Sequence, residues 1–245
     1  MIELQSLTKR YGNFTAVDSI SLEAARGEVF GFLGPNGAGK TTTIRILAGL
    51  SLPTAGVALV GGIDVVSEPE KAKAITGFVP DRPFLYEKLT GWELLRFVAD
   101  LYSAEWNAAQ ARASRLLDYL DLTEWAPARI ENYSHGMKQK LVLTAALVHD
   151  PSVVIIDEPM VGLDTFAQNQ VKKLLRTLAS EGRTIFLTTH TLSVAEAVCD
   201  RLAIIHRGRI VATGSPGELK TKAGRPGSPL EDVFLQITYP EETAS

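Results

Sequence analysis

The chain has 245 residues, 45% of them apolar, and a formal net charge of −3 at pH 7. This length suits one large domain or a core domain with a sub-domain, and the charge gives no general electrostatic case for a nucleic acid partner. The single cysteine, Cys199, excludes an internal disulfide and fits a reducing compartment. The first residues lack a basic and then apolar signal segment, and no apolar run approaches the ~20 residues of a membrane-spanning helix. We therefore expect a cytosolic protein.

The first part of the chain is predicted to be rich in strands. Residues 2–7 and 16–23 alternate apolar and polar side chains, as half-buried antiparallel strands do. Residues 57–60 and 75–79 are short apolar runs that indicate further strands. An antiparallel β sub-domain is therefore expected at the N-terminal end.

A glycine-rich segment follows a buried strand predicted over residues 28–33 and precedes a helix predicted over residues 43–50. It fits the pattern G-x-x-x-x-G-K-[ST], in which glycines let successive backbone N–H groups converge on phosphate oxygens. Lys40 would bring a positive charge to the β- and γ-phosphates, and the Thr41 hydroxyl would be a ligand of Mg²⁺. The alternative is a glycine-rich surface turn. The residues predicted to bind nucleotide here are Gly34, Pro35, Asn36, Gly37, Ala38, Gly39, Lys40, Thr41 and Thr42.

The pattern becomes helical over residues 90–122, and a further helix is predicted over residues 134–148. Nine of the 18 aromatic residues lie between Phe84 and Tyr133. This concentration favours a helical sub-domain with its own small core, over about residues 84–150. One continuous core is the alternative.

Strands and helices alternate in the last part of the chain. Strands are predicted over residues 152–157, 184–188 and 202–206, with helices over residues 166–178 and 192–199 between them. This order implies a parallel sheet flanked by helices. A short strand at 209–212, a linker at 220–229 and a last helix at 229–237 complete the prediction.

Two acidic residues stand at the carboxyl end of the strand predicted over residues 152–157. Asp157 and Glu158 follow four apolar residues, and ligands of parallel sheets bind at the carboxyl ends of strands. Asp157 is placed to hold Mg²⁺ through water, and Glu158 to orient or deprotonate the attacking water. The alternative is an apolar strand that ends in a polar turn.

Together with Tyr133-Ser134-His135-Gly136-Met137 and Thr188-Thr189-His190, these segments make residues 1–217 resemble an ABC-type ATPase subunit. The resemblance implies an α/β fold with a P-loop NTPase core and mixed sheet, an N-terminal antiparallel β sub-domain and an inserted helical signature sub-domain. The ATPase domain would cover residues 1–220, followed by a linker and short tail over residues 221–245. Such ATPases pair head to tail around two ATP molecules.

The resemblance also implies individual roles. Tyr11 would stack on adenine and Val17 would pack beside the sugar and base. His190 would contact the γ-phosphate and join Glu158 as a catalytic residue. Asp164 would anchor a loop that reaches across the dimer; as an alternative it simply caps the next helix. The signature residues that would contact the nucleotide of the opposite subunit are Ser134, His135, Gly136 and Met137.

Several positions depart from the family pattern. The signature Leu-Ser-Gly-Gly-Gln is replaced at three positions by Tyr133, His135 and Met137, and the proline after Asp164 is Thr165. Ser134 could be an ordinary helix N-cap as well as a ligand of phosphate.

Asp81 is the sharpest departure, because the family usually has glutamine there. We expect Asp81 to contribute to the Mg²⁺ site. The alternative is a turn residue between Pro80 and Pro83.

The function expected from this resemblance is that of a Mg²⁺-dependent ATPase subunit of a membrane transporter, most like ABC-2 type exporters. It would bind at the cytoplasmic face of the cell membrane to a separate membrane-spanning permease subunit, and pair with a second, identical or different, ATPase subunit. The segment from Asp81 to Tyr102 would dock the permease through Phe84 and Tyr86, unless these rings fill the sub-domain core.

Two other functions are considered. A soluble ABC-type ATPase with a non-transport task would share every motif. A small-molecule kinase would have an acceptor pocket and no signature motif, so Ser134 to Met137 disfavours it.

Overall fold

Two β-sheets with helices packed around them form the computed structural model, which describes residues 1–82, 84–225 and 227–238. The strands are β1 (Ile2–Tyr11), β2 (Phe14–Ala24), β3 (Val29–Leu33), β4 (Ala55–Val60), β5 (Ile63–Asp64), β6 (Thr76–Val79), β7 (Val153–Asp157), β8 (Thr184–Thr189), β9 (Arg201–His206) and β10 (Arg209–Gly214). The helices are α1 (Lys40–Leu47), α2 (Pro69–Ala74), α3 (Gly91–Leu101), α4 (Trp106–Tyr119), α5 (His135–Leu147), α6 (Thr165–Ser180), α7 (Leu192–Val198), α8 (Pro216–Lys222) and α9 (Leu230–Thr238).

The smaller sheet contains the N-terminal strands in the order β2-β1-β4-β5, and all its neighbours are antiparallel. Its inward apolar residues, such as Leu4 and Leu7, are buried in one cluster with Phe30 and Phe32 of β3 and Ile44 of α1. The prediction of an antiparallel N-terminal sheet is confirmed. This sheet therefore shares a core with the phosphate-loop helix.

The larger sheet has the order β10-β9-β3-β8-β7-β6. Its pairs are parallel except for β9 with β10, so the predicted mixed sheet is confirmed. Because parallel strands end at the same edge, the segments after β3, β8, β7 and β6 meet there. This edge carries the phosphate loop, Asp81, Asp157, Glu158 and His190.

Helices α3, α4 and α5 surround a hydrophobic cluster of their own. Its fully buried members include Leu95, Leu117 and Leu141, whereas Phe84 and Trp125, two of the aromatic residues that suggested a separate core, are exposed. The cluster is therefore mainly aliphatic. The sub-domain limits of about 84–150 stay a prediction.

The predicted linker over residues 220–229 is wrong at its start, because α8 continues to Lys222. Ser215 and Glu218 cap α8 reciprocally, and this capping box outweighs the Gly-Pro-Lys-Ser composition that suggested a linker. Helix α9 buries Leu230 and Val233 against α7 and α8. Pro226 and residues 239–245 of the predicted linker and tail, like Pro83, lie outside the described residues.

Candidate nucleotide site

The phosphate loop joins β3 to α1, as predicted. All five residues of β3 are buried, and Gly39 is the N-cap of α1 with a φ of 113°. A Cβ atom on Gly34 would lie 2.3 Å from the carbonyl oxygen of Ile205, and one on Gly39 would lie 2.6 Å from that of Ala16. Glycine is therefore required at both positions. The N–H groups of the first turn of α1 face outward with the positive end of the helix dipole, which suits an anion.

Lys40 is the first residue of α1 and is almost fully buried. Its Nζ donates hydrogen bonds to the carbonyl oxygens of Gly34 at 2.5 Å and Pro35 at 3.1 Å. Burial lowers the pKa of Lys40, while the negative charges of Glu158 and Asp157 raise it. The ammonium group thus feels the charges of two carboxylates while the loop carbonyls hold it, and phosphate oxygens are acceptors that can replace those carbonyls.

A cavity of about 250 Å³ opens beside the loop and is lined on one side by two aromatic rings. Tyr11 is 49% exposed and Phe14 is 62% exposed, and the two residues face each other across the end of the β1–β2 hairpin. Phe14 was missed by the sequence reasoning, although aromatic residues at both ends of the Gly12-Asn13 turn were a visible signal. The other lining residues are Ala16, Asn36, Gly37, Gly39, Lys40, Thr41 and Thr42.

Val17 occupies a different place from the other predicted residues. Its side chain is fully buried, and its Cγ2 atom would lie 3.4 Å from a Cβ on Gly39. Ala16, not Val17, lines the cavity. Val17 therefore packs beneath Gly39 in the core, on the buried side of the phosphate loop. Its contact with the sugar or base stays a prediction.

Asp157 is buried at the end of β7 and accepts a hydrogen bond from the hydroxyl of Thr188, its register partner on β8. Burial raises the pKa of Asp157, and the neighbouring charges of Asp81 and Glu158 raise it further, against the Thr188 hydrogen bond and Lys40. Three carboxylates thus share this edge of the sheet. A cation would relieve their mutual repulsion.

The three residues predicted to bind Mg²⁺ have suitable donor atoms. Thr41, Asp157 and Asp81 offer only oxygen donors, which Mg²⁺ prefers. Within the described part of the chain, no three His, Cys, Asp or Glu residues are grouped closely enough to hold a metal ion. Mg²⁺ usually keeps several waters and takes other ligands from phosphates, and a site formed by Thr41, Asp157 and Asp81 stays a prediction.

Glu158 and His190 form a pair after β7 and β8. The Nδ1 atom of His190 lies 2.8 Å from Oε1 of Glu158, and because a carboxylate only accepts, the imidazole N–H donates. The side chain of Glu158 is 16% exposed and that of His190 is 64% exposed. Glu158 has a φ of 55°, a strained value for a non-glycine residue. The strained backbone is therefore found at the residue that the sequence predicted to be the catalytic base.

The signature turn, residues 133–137, and the loop before α6 each cap the helix that follows them. Ser134 caps α5 by accepting from the N–H of Met137 at 3.3 Å, and Asp164 caps α6 by accepting from that of Ala167 at 2.8 Å. The capping alternatives are therefore realised. Ser134, His135, Gly136, Met137 and Asp164 are not among the described residues that line the cavity beside the phosphate loop. Their contact with a nucleotide stays a prediction.

Comparison with known proteins agrees with this geometry. A family model described as ABC transporter matches residues 17–161. The chain belongs to the ABC transporter family. It is 38% identical to the linearmycin resistance ATP-binding protein LnrL of Bacillus subtilis over 97% of this chain and 75% of LnrL. It is 35% identical to the probable multidrug ABC transporter ATP-binding protein YbhF of Escherichia coli, over 98% of this chain but only 42% of the length of YbhF.

Solved structures of ABC transporter cassettes share the fold. An ATP-binding subunit of an ABC transporter superposes with a TM-score of 0.92 at 31% identity, covering 97% of this chain and 99% of that one. A dimeric ATP-binding cassette in a post-hydrolysis state with ADP and Pi has a TM-score of 0.79 at 25% identity, covering 88% and 98%. The predicted fold class and family are confirmed. Among the described residues, no helix is both long and apolar enough to cross a membrane.

Proposed function

We propose that this chain binds ATP with Mg²⁺, hydrolyses it in a head-to-tail dimer and thereby drives transport through separate membrane-spanning subunits. The Glu158–His190 pair carries the proposal, because it lies at the same sheet edge as Lys40 and Asp157. A base with an orienting partner, beside a phosphate-binding lysine and a metal-binding carboxylate, is what phosphoryl transfer to water requires.

Each group at this edge has a distinct task. Tyr11 and Phe14 would pack against the base from one side of the cavity, and the loop N–H groups with Lys40 would hold the phosphates. Thr41, Asp157 and Asp81 would hold Mg²⁺, which neutralises charge on the phosphates when bound.

Glu158 would accept the proton of the attacking water on its carboxylate. The Nδ1–H group of His190 keeps that carboxylate oriented through the 2.8 Å hydrogen bond.

A second ATPase subunit would complete the site. The dipole and N–H groups at the start of α5 suit a phosphate, yet the Ser134 turn is not among the described residues that line the cavity of its own chain. A head-to-tail dimer would bring this turn, with His135, Gly136 and Met137, to the nucleotide of the partner, and Asp164 would lie at the same interface. The partner subunit would be a second copy or a different ATPase.

An exposed aromatic groove supports a membrane partner. Phe84 is 90% exposed, and it contacts Tyr86 edge-on at 6.3 Å, while Tyr86 contacts Phe97 at 5.6 Å. Together with Leu85 and residues 87–89 these rings line a cavity of about 840 Å³. The exposure disfavours the alternative that Phe84 fills the sub-domain core. Apolar anchors in a groove suit a short helix of a permease subunit at the cytoplasmic face of the membrane.

Hydrogen bonds connect this groove with the signature turn. The carbonyl oxygens of Glu87 and Leu89 accept from the N–H groups of Glu131 and Ile130, both at 2.9 Å. Lys138 of α5 pairs with the carboxylate of Glu87 at 2.5 Å. A permease segment in the groove would therefore follow movements of the turn that contacts the partner's nucleotide.

The names of several relatives favour export as the direction of transport. LnrL is named for linearmycin resistance, and a relative from Streptomyces peucetius, 40% identical over 91% of this chain and 68% of its own length, is the daunorubicin/doxorubicin resistance ATP-binding protein DrrA. We infer that this chain serves an exporter of the ABC-2 type.

The replacement Glu158→Gln tests the proposal. It keeps the side chain's shape but removes the base, so we expect ATP binding to persist, turnover to fall by about 10²-fold or more, and ATP to trap a dimer. Glu70→Gln, on the exposed face of α2, is the matched control. Turnover by the Glu158 variant at the rate of this control would refute the assignment.

A further inference from the structure

His135, one of the departures from the family signature, lies against Gly162 of the loop after β7. Gly162 has a φ of +76°, and a Cβ atom on it would lie 2.0 Å from Cδ2 and 2.5 Å from Nε2 of His135. The imidazole ring of His135 thus lies directly on the Cα atom of Gly162. A Cβ on Gly136 would meet the Gly162 carbonyl oxygen at 2.9 Å, so the backbones are also close.

The contact joins residues assigned to different nucleotides. Ser134, next to His135, would contact the nucleotide of the partner, whereas Glu158 acts on the nucleotide of its own chain. The N–H group of Val161 donates to the carbonyl oxygen of Glu158 at 3.4 Å, so the loop that carries Gly162 begins at the base. A path of direct contacts therefore runs from the Ser134 turn through His135 and Gly162 to Glu158.

We propose that His135 is a positioning residue that couples the two nucleotide sites of the dimer through the contact of its imidazole ring with the backbone of Gly162. When the partner's nucleotide orders the Ser134 turn, the imidazole presses the loop into the arrangement that holds Glu158. A glycine at position 135 has no side chain to make this contact, so this route between the turn and the loop would be absent. This inference rests on the proposed function.

A double-substitution cycle tests the coupling, with ATP turnover measured against ATP concentration. Gly162→Ala places a methyl group 2.0 Å from the ring of His135, so the ring must move and its contact with the backbone of residue 162 is lost. We expect Gly162→Ala to lower maximal turnover about 3–10-fold more in the His135 background than in the His135→Gly background. We also expect the Hill coefficient, which lies between one and about two for two coupled sites, to fall toward one in all three variants.

Two further variants separate positioning from general damage. Gly224→Ala has a similar φ of +70° and no atom within 4 Å, so it measures the cost of a positive φ alone. His135→Asn keeps a planar side chain and should retain more of the Hill coefficient than His135→Gly. If Gly162→Ala has a much lower melting temperature than Gly224→Ala, the comparison of His135→Asn with His135→Gly still tests the coupling, because neither protein carries the Gly162 substitution.

The outcomes distinguish failure of the proposed coupling from failure of the proposed ATPase function. Additive effects on turnover, or a wild-type Hill coefficient of one, would overturn the coupling while the ATPase assignment stands. Absence of ATP turnover in the wild-type protein would overturn both. A smaller effect of Gly162→Ala once His135 is removed, together with partial rescue by asparagine, would support the proposal.

Discussion

Acidification should weaken the contact between the helical part of the chain and the larger sheet, because a half-buried neutral histidine lies there. The ring of His149 stacks on that of Tyr102, with centroids 3.7 Å apart and planes 11° from parallel. Its Nε2 lies 3.2 Å from the carbonyl oxygen of Thr76, to which it donates, and Nδ1 is buried without a hydrogen-bond partner among the described residues. The charges of Arg112 and Asp150 act on the pKa of the ring.

The size and sign of the effect follow from the pKa of His149. Burial lowers this pKa from 6.5 to about 4; Arg112 adds to the shift, and the Thr76 hydrogen bond and Asp150 oppose it. Between these values the unfolded chain binds the proton and the folded chain does not, so stability is complete above pH ~6.5 and is lost as the pH falls toward ~4. By about pH 5 the full shift would remove ~2 kcal/mol of unfolding free energy, and partial exposure of the ring reduces this to ~1 kcal/mol.

The assay compares thermal unfolding of the wild type and His149→Phe at about pH 7.5 and about pH 5. Phenylalanine can keep the stack on Tyr102 but cannot titrate, although it loses the hydrogen bond to Thr76, worth ~1 kcal/mol. We expect the melting temperature of the wild type to fall ~2–4 °C further than that of the variant. Carboxylates titrate alike in both proteins. Equal falls in melting temperature would refute the reasoning.

Three further predictions concern the proposed function. Lys40→Ala should abolish tight ATP binding, because it removes the charge aimed at the phosphates; unchanged affinity would contradict the phosphate-loop assignment. Asp81→Gln should shift the Mg²⁺ concentration that gives half-maximal turnover more than it shifts ATP affinity, and superimposable Mg²⁺ curves would leave Asp81 as a turn residue. Phe84→Ala and Tyr86→Ala should each weaken co-purification with a permease subunit in detergent while the melting temperature and ATP binding persist. Val211→Ala, exposed on β10, is the control for the last pair; an intact complex would refute the docking role.

Local patterns were sufficient to predict the elements that hold the site. The strand before Gly34, the loop and the following helix are contiguous in the chain, so one motif contains their geometry. The same holds for Asp157 and Glu158, because an apolar strand places whatever follows it at the carboxyl edge of a parallel sheet.

Contacts between distant residues could not be predicted in the same way. The seat of His135 on Gly162 depends on how α5 packs beside the loop after β7, which no local pattern contains. The exposure of Phe84 was also undetermined, since an aromatic residue after a proline can face either the core or water. Helix α8 was missed because its capping by Ser215 competes with a composition that resembles a linker.

A mixture of two inactive variants tests most directly whether two chains share each site. Lys40→Ala disables the phosphate loop of its own chain, and Ser134→Ala disables the turn offered to the partner, so a mixed dimer keeps one intact site. We expect each variant alone to be nearly inactive, and an equal mixture to recover up to about a quarter of wild-type turnover if the chains pair at random, with the full quarter reached only if the two sites act independently. No recovery in a mixture shown to contain mixed dimers would contradict the shared site.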